Sequence, residues 1–264
     1  MLPSINQQLP SSYELPCSDD TPVDNEDQNL LPNLLLMLLS ELWSERQDWY
    51  FGVDMAIYHT TGASPFVPIV PDGFLSVGVD RQKDGDSRRS YVMWEEQEIP
   101  PMFVLEMVSH TPGGEYDKKM EIYAKLGVRY YLIYNPKFWQ RDRHQPFELY
   151  ALEDGAYRLQ TGELFWMPEV ELGVGRYWTD VNGVDREILT WYDAAENRHP
   201  SKAEREFLRA EREQQRADRE QQRAEEERQR AEEERQRADR ERQVKERLAE
   251  FLRSQGFDPD ELPE

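Results

Sequence analysis

From Ser201 to Gln255 the chain contains neither glycine nor proline, and within that stretch an Arg-Ala pair recurs every seven residues, at 209/210, 216/217, 223/224, 230/231 and 237/238. A run of Glu, Arg, Gln and Ala that long, with no breaker, has one regular option, the α-helix. At ~1.5 Å per residue it extends about 80 Å. A two-helix seam needs two apolar positions per heptad, and here only Ala repeats. Glu213, Glu220, Glu227, Glu234 and Glu241 stand three residues after each alanine, and Gln214, Gln221, Arg228, Arg235 and Arg242 four after. Two readings stay open. One is a solvated spacer helix supported by pairs such as Glu226–Arg230, Glu233–Arg237 and Glu241–Lys245. The other is an Ala-seamed coiled coil anchored at Val244, Leu248, Phe251 and Leu252, which would give a homodimer. Gly256 is expected to cap the helix, with residues 257–262 as a short terminal element.

The helix also accounts for the composition. Apolar residues are 38% of the 264, but only 15 of the last 69. The remainder has the proportion of an ordinary packed domain. The net charge is −21, and 32 acidic against 15 basic residues precede residue 196. Such a body is not a general electrostatic binder of polyphosphate or of an anionic membrane, since both need an excess of Lys and Arg. The only dense basic segments are Arg81, Lys83, Arg88 and Arg89 in one loop, and Lys118, Lys119, Lys125 and Arg129 further on. A single cysteine, Cys17, excludes an intramolecular disulfide framework and a Cys-rich zinc site. The longest apolar stretch, Leu34 to Leu39, falls far short of the ~20 residues of a membrane span. No basic segment followed by an apolar run opens the sequence, so a cytoplasmic setting is expected.

Four segments follow: a mobile acidic leader over 1–29, a mixed α/β body over 30–195, the charged helix over 196–255 and the terminal element over 256–264. In the body, Leu35, Leu38, Leu39 and Leu42 have helical spacing, with Pro32 expected to open that helix. Tyr50–His59 and Val67–Val79 read as strand material, the second interrupted at Pro71-Asp72-Gly73. Met102–Ser109 (MFVLEMVS) suits a central strand buried on both faces. Glu115–Leu126 reads as a helix stopped by Gly127, and Val128–Tyr134 as the next strand. The unit 102–134 is therefore a βαβ crossover in a mixed sheet. Residues 146–160 form a hairpin around Glu153-Asp154-Gly155, and 161–193 supply further short strands.

Three polar residues lie in apolar settings: Asp72, Glu106 and Lys119. A carboxylate in the middle of an apolar strand needs a partner. Lys119, near the start of the following helix, could be that partner in a plain salt bridge. A cation shared by Asp72 and Glu106 is the alternative, and few hard oxygen donors suit Mg²⁺. His59, His110, His144 and His199 have no metal-ligand spacing relative to one another. No phosphate-binding loop, dinucleotide fingerprint or serine nucleophile elbow is present.

The ordered series Pro71-Asp72, VLEMVS over 104–109, TPGGEYDKK over 111–119, YAKLGV over 123–128 and YYLIYNP over 130–136 resembles the Uma2 family (DUF820), a branch of the PD-(D/E)XK nuclease superfamily common in cyanobacteria. The resemblance covers residues 30–195, and the charged tail is similar to that of members of the group. It implies a restriction-endonuclease-like mixed β-sheet with flanking helices. It further implies hydrolysis of DNA phosphodiester bonds with Mg²⁺ or Mn²⁺ held by Asp72, Glu106 and the carbonyl of Met107. The superfamily lysine two residues after the glutamate is absent here, because that position is Val108. In Uma2-type proteins the lysine comes from the next helix, where Lys119 matches and Lys118 is its neighbour. Glu115 matches an acidic position of the family, and Glu41 is a candidate for an extra helix acid. The alternative is a catalytically silent nuclease fold that acts as a binding or scaffold module, with the helical tail mediating protein association.

Overall fold

The computed structural model describes residues 9–17, 25–62, 64–83, 85–111, 113–181 and 183–256. The chain divides into two compact units, Met1–Ser201 and Lys202–Glu264.

The first unit is built on a six-stranded sheet. Its elements in chain order are α1 (Glu26–Leu42), β1 (Trp49–Val53), β2 (Ile57–Tyr58), β3 (Gly73–Val77), β4 (Tyr91–Val92), a 3₁₀ turn (Met93–Glu95), β5 (Phe103–Met107), α2 (Lys118–Leu126) and β6 (Tyr130–Tyr134). There follow α3 (Trp139–Asp142), β7 (Phe147–Glu153), β8 (Ala156–Leu159), β9 (Leu164–Met167), β10 (Leu172–Val181) and β11 (Val184–Tyr192). The strand order is β1-β3-β5-β6-β7-β8, with β11-β10-β9 as a second sheet and β2-β4 as a third. Only β5 and β6 run parallel in the large sheet, joined through α2. This is the crossover expected from the sequence. The mixed α/β architecture with flanking helices is thus observed.

The period of two along the strands sorts the side chains between two cores. Phe103, Leu105 and Met107 join Leu75, Leu132 and Leu149 in one cluster, covered by Leu31, Leu35, Leu38 and Leu39 of α1. Val104 and Val108 join Phe74, Tyr131 and Ile133 in the other, covered by Tyr123 and Leu126 of α2. Glu106 has the parity of the second set and so faces α2. The indole Nε1 of Trp191 in β11 donates to the Leu35 carbonyl at 2.9 Å, tying the last strand to α1.

Four expectations need correction. The first helix begins at Glu26, not at Pro32, because the Asn25 side chain accepts from the Asp27 and Gln28 amides and two acids fill the first turn. Pro32 is interior and buried. The second helix begins at Lys118 rather than Glu115, with Asp117 as its cap and Gly127 (φ 84°) as its left-handed stop. The leader is not uniformly free: Leu15 is buried beside Tyr58 and Val92. Trp94 Nε1 donates to the Pro10 carbonyl at 2.9 Å and Tyr58 Oη to that of Pro16 at 2.7 Å. Finally, 161–193 holds one long hairpin, since β10 and β11 have 10 and 9 residues.

The second unit is the helix α4 (Lys202–Ser254), 53 residues with none buried. Its i,i+4 bridges, such as Arg209–Glu213 at 3.1 Å and Arg237–Glu241 at 3.3 Å, run from base to acid rather than in the expected acid-to-base order. The expected terminal element over 257–262 lies outside the described residues, as do 1–8 and 18–24 of the leader. Among the described residues no helix is long and apolar enough to cross a membrane.

Candidate active site

Antiparallel pairing of β3 with β5 matches Gly73 to Leu105, Phe74 to Val104 and Leu75 to Phe103. Continued by one position, that register sets Asp72 opposite Glu106. Directly opposed residues share a face and bring their Cβ atoms to about 5 Å. Asp72 Oδ2 accepts the backbone N–H of Met107 at 2.6 Å, which anchors the carboxylate at the end of β5. Glu106 is 1% exposed. Its Oε2 accepts from Lys119 Nζ at 2.7 Å and its Oε1 from Tyr123 Oη at 2.6 Å. Lys119 and Tyr123 are four residues apart on α2, so both point from one helix face onto the same carboxylate. Asp72, Glu106 and Lys119 therefore converge, as the sequence suggested.

The electrostatics follow from burial. Asp72 is pushed well above its ordinary value, first by loss of solvent and then by the facing Glu106 charge, against the Met107 amide and Lys119. Glu106 is also raised by burial, with Lys119 and Tyr123 opposing. Burial works against the Lys119 ammonium, but attraction and hydrogen bonding from Glu106 outweigh it and hold its pKa up. A half-buried carboxylate facing a buried one, with one ammonium bonded to the latter, leaves an excess of negative charge.

The other expected residues divide. Glu115 is buried, and its carboxylate accepts the Gly113 amide at 2.9 Å. It also lies near enough to influence both Glu106 and Lys119. Lys118 is exposed beside the site. The Met107 carbonyl accepts from Gln28 Nε2 at 3.5 Å, a long contact. That contact sets the first turn of α1 beside the end of β5. Glu41 lies thirteen residues further along the helix, about 20 Å away, on an element that covers the opposite face, so it is not brought to the site. Among the described residues no group of three or more His, Cys, Asp or Glu side chains is arranged to hold a metal ion. Any cation here would rest on two carboxylates and backbone.

Tyr123 was legible only as an apolar helix position, although its spacing from Lys119 carried the signal. His59 gave no signal. It is buried, with Nδ1 2.9 Å from Thr61 Oγ1, and it lines a cleft of about 560 Å³ shared with Lys118 and Lys119. The basic residues of the 80–90 loop are engaged with the body. Arg88 pairs with Glu96 at 2.9 Å, Lys83 with Glu95 at 2.6 Å, and the Arg81 guanidinium lies 3.9 Å over the Trp49 ring. These cations hold the loop to the body rather than presenting a basic patch.

A crystal structure titled "a putative nuclease belonging to DUF820", from Anabaena variabilis, is similar with 12% identity and a TM-score of 0.41, covering 56% of this chain and 75% of that one. No curated protein matches. The Uma2 family, described as "Putative restriction endonuclease", matches residues 19–182. With well over half of the chain covered, the protein belongs to the Uma2 family.

Proposed function

We propose that the protein is a Mg²⁺-dependent endonuclease that hydrolyses DNA phosphodiester bonds, with Mn²⁺ as a substitute cation. The observation that carries this reading is the opposition of Asp72 and Glu106 across the β3–β5 register, with Lys119 bonded to Glu106. The donor set fits a hard cation: both carboxylates are raised by burial, and a divalent ion between them would relieve their repulsion. Asp72, Glu106 and the Met107 carbonyl would hold it. A bound Mg²⁺ would polarise the phosphate and lower the pKa of its water.

The chain's own groups do the rest. Tyr123 fixes the orientation of Glu106 by donating to Oε1. The Met107 amide does the same for Asp72. Lys119, partly exposed between Glu106 and the cleft, brings a fixed positive charge to the place where charge develops on the phosphate oxygens, and can orient the attacking water. Glu115 maintains the Gly113–Glu115 turn that leads into α2.

The test is Mg²⁺ titration by calorimetry on the full chain, beside Asp72→Ala and Glu106→Ala, followed by cleavage of plasmid and oligonucleotide DNA with Lys119→Ala as control. The reading predicts cation binding lost in both carboxylate variants and cleavage lost in all three. Cation-independent cleavage, or none with a non-specific panel in either Mg²⁺ or Mn²⁺, overturns it. The engagement of the basic loop within the acidic body favours a second reading, a catalytically silent fold used as a binding module with α4 as its association surface.

A further inference from the structure

We propose that the cleft beside Lys119 receives the base of an unpaired or extruded nucleotide, which makes single-stranded or locally opened nucleic acid the substrate class. This rests on the phosphodiesterase reading above. The cleft lies between the 59–70 segment and the start of α2, and its volume of about 560 Å³ falls within the range of small-ligand sites. One wall is apolar, from Val67, Pro68, Ile69 and Ile122, while Lys118 and Lys119 supply cations at another. That asymmetry is the chemistry of a nucleotide: a flat apolar ring joined to an anion.

The rim adds to the argument. Phe66 and Val67 are 59% and 64% exposed, an aromatic ring and a branched chain held in water next to the cleft. His59 is buried at the wall, and burial lowers its pKa and so favours the neutral imidazole. With Nδ1 taken up by Thr61, its Nε2 and the Thr61 hydroxyl line that wall with polar groups. Such a pair can meet the polar edge of a base.

The charge balance selects this substrate over an intact duplex. A body with 32 acidic and 15 basic residues does not track a duplex backbone, and the loop cations Lys83 and Arg88 are paired internally. Two lysines neutralise about two phosphates, which gives a shallow dependence on salt. The remaining affinity must come from stacking and apolar contact, worth about 5- to 150-fold for a single base.

The experiment uses the full chain, with Ca²⁺ in place of Mg²⁺, and fluorescence anisotropy of short single-stranded oligonucleotides and their duplexes. A tiled set carries one abasic position in each strand. Val67→Trp fills the cleft and Phe66→Ala removes the rim ring; both are surface changes, checked by unaltered melting. The expected result is single-strand binding at least about tenfold tighter than duplex binding. Val67→Trp should weaken it about tenfold, and one abasic position should produce the same loss with no further effect of Val67→Trp. Equal affinity for duplex, or indifference to both variants and to every abasic position, overturns the proposal. If that happens while Mg²⁺ binding still depends on Asp72, the nuclease reading stands and the base cleft falls. If cleft-dependent binding is found without Asp72-dependent cation binding, the reverse holds.

Discussion

Replacing Asp72 with asparagine should stabilise the cation-free protein while removing its cation site. Two unit charges about 5 Å apart repel by about 3 kcal/mol at an effective dielectric constant near 20. The substituted amide keeps an oxygen for the Met107 N–H but loses its charge assistance and its attraction to Lys119, together costing about 1–2 kcal/mol. The net gain is about 1–2 kcal/mol. Its pH dependence has a definite sign. The folded-state pKa of Asp72 is raised above the ordinary 3.8, so the carboxyl favours folding when protonated. That contribution is complete below the unfolded value and is lost as pH rises through the raised folded one. The Asp72→Asn variant should therefore match wild type in acid and exceed it at pH 8, by about 2–8 °C in melting temperature for a domain of this size. Differential scanning calorimetry in EDTA at the two pH values makes the comparison. Added Mg²⁺ should raise the wild-type midpoint and leave the variant unmoved. A variant less stable than wild type at pH 8, or one whose advantage is the same in acid, would refute the charge opposition on which the candidate site is built.

Other substitutions probe the supports. Tyr123→Phe leaves Glu106 Oε1 without its donor and should cost about 1–3 kcal/mol in urea unfolding. Arg88→Ala leaves the buried Glu96 only the longer 3.3 Å contact with Lys83 and should destabilise by about 2–3 kcal/mol, less than the loss of a sole partner. A Cβ at Gly127 would meet only Pro100, at an ordinary 3.8 Å, so the cost of Gly127→Ala comes from the φ of 84° and should be about 1–2 kcal/mol by the same assay.

The readable parts of the sequence were those in which one period dominates. The uninterrupted helix and the 102–134 crossover declared themselves. The candidate site was marked by charged residues in apolar settings and by the family resemblance; in the structure residues 104, 106 and 108 share a face, which Lys119 and Tyr123 meet. Loop residues carried no such period, so the cleft at His59 could not be foreseen from spacing. The hairpin of β10 and β11 was read as short pieces, and its strands carry Gly173 and Gly175 in their interior. A Cβ at Gly175 would lie 2.9 Å from the Tyr192 ring, so that glycine is a packing requirement within a strand. The first helix was misplaced because a proline was given more weight than an Asn cap followed by two acids. Leu15, the buried leucine among the described residues of the leader, is hidden among polar neighbours, and its docking depends on surfaces that exist only once β2 and β4 are paired.

The bond from Trp191 to the Leu35 carbonyl joins positions 156 residues apart. During synthesis α1 has no final seat until β11 has been made, and separations of that size make closure slow. Nine residues after β11, a stretch of 53 residues forms a helix that buries nothing. At ~5–20 residues per second, a ribosome spends roughly 3–10 s making that many residues. Translation of the charged helix thus provides an interval in which the completed sheet can close over α1 before any more apolar sequence has to be buried.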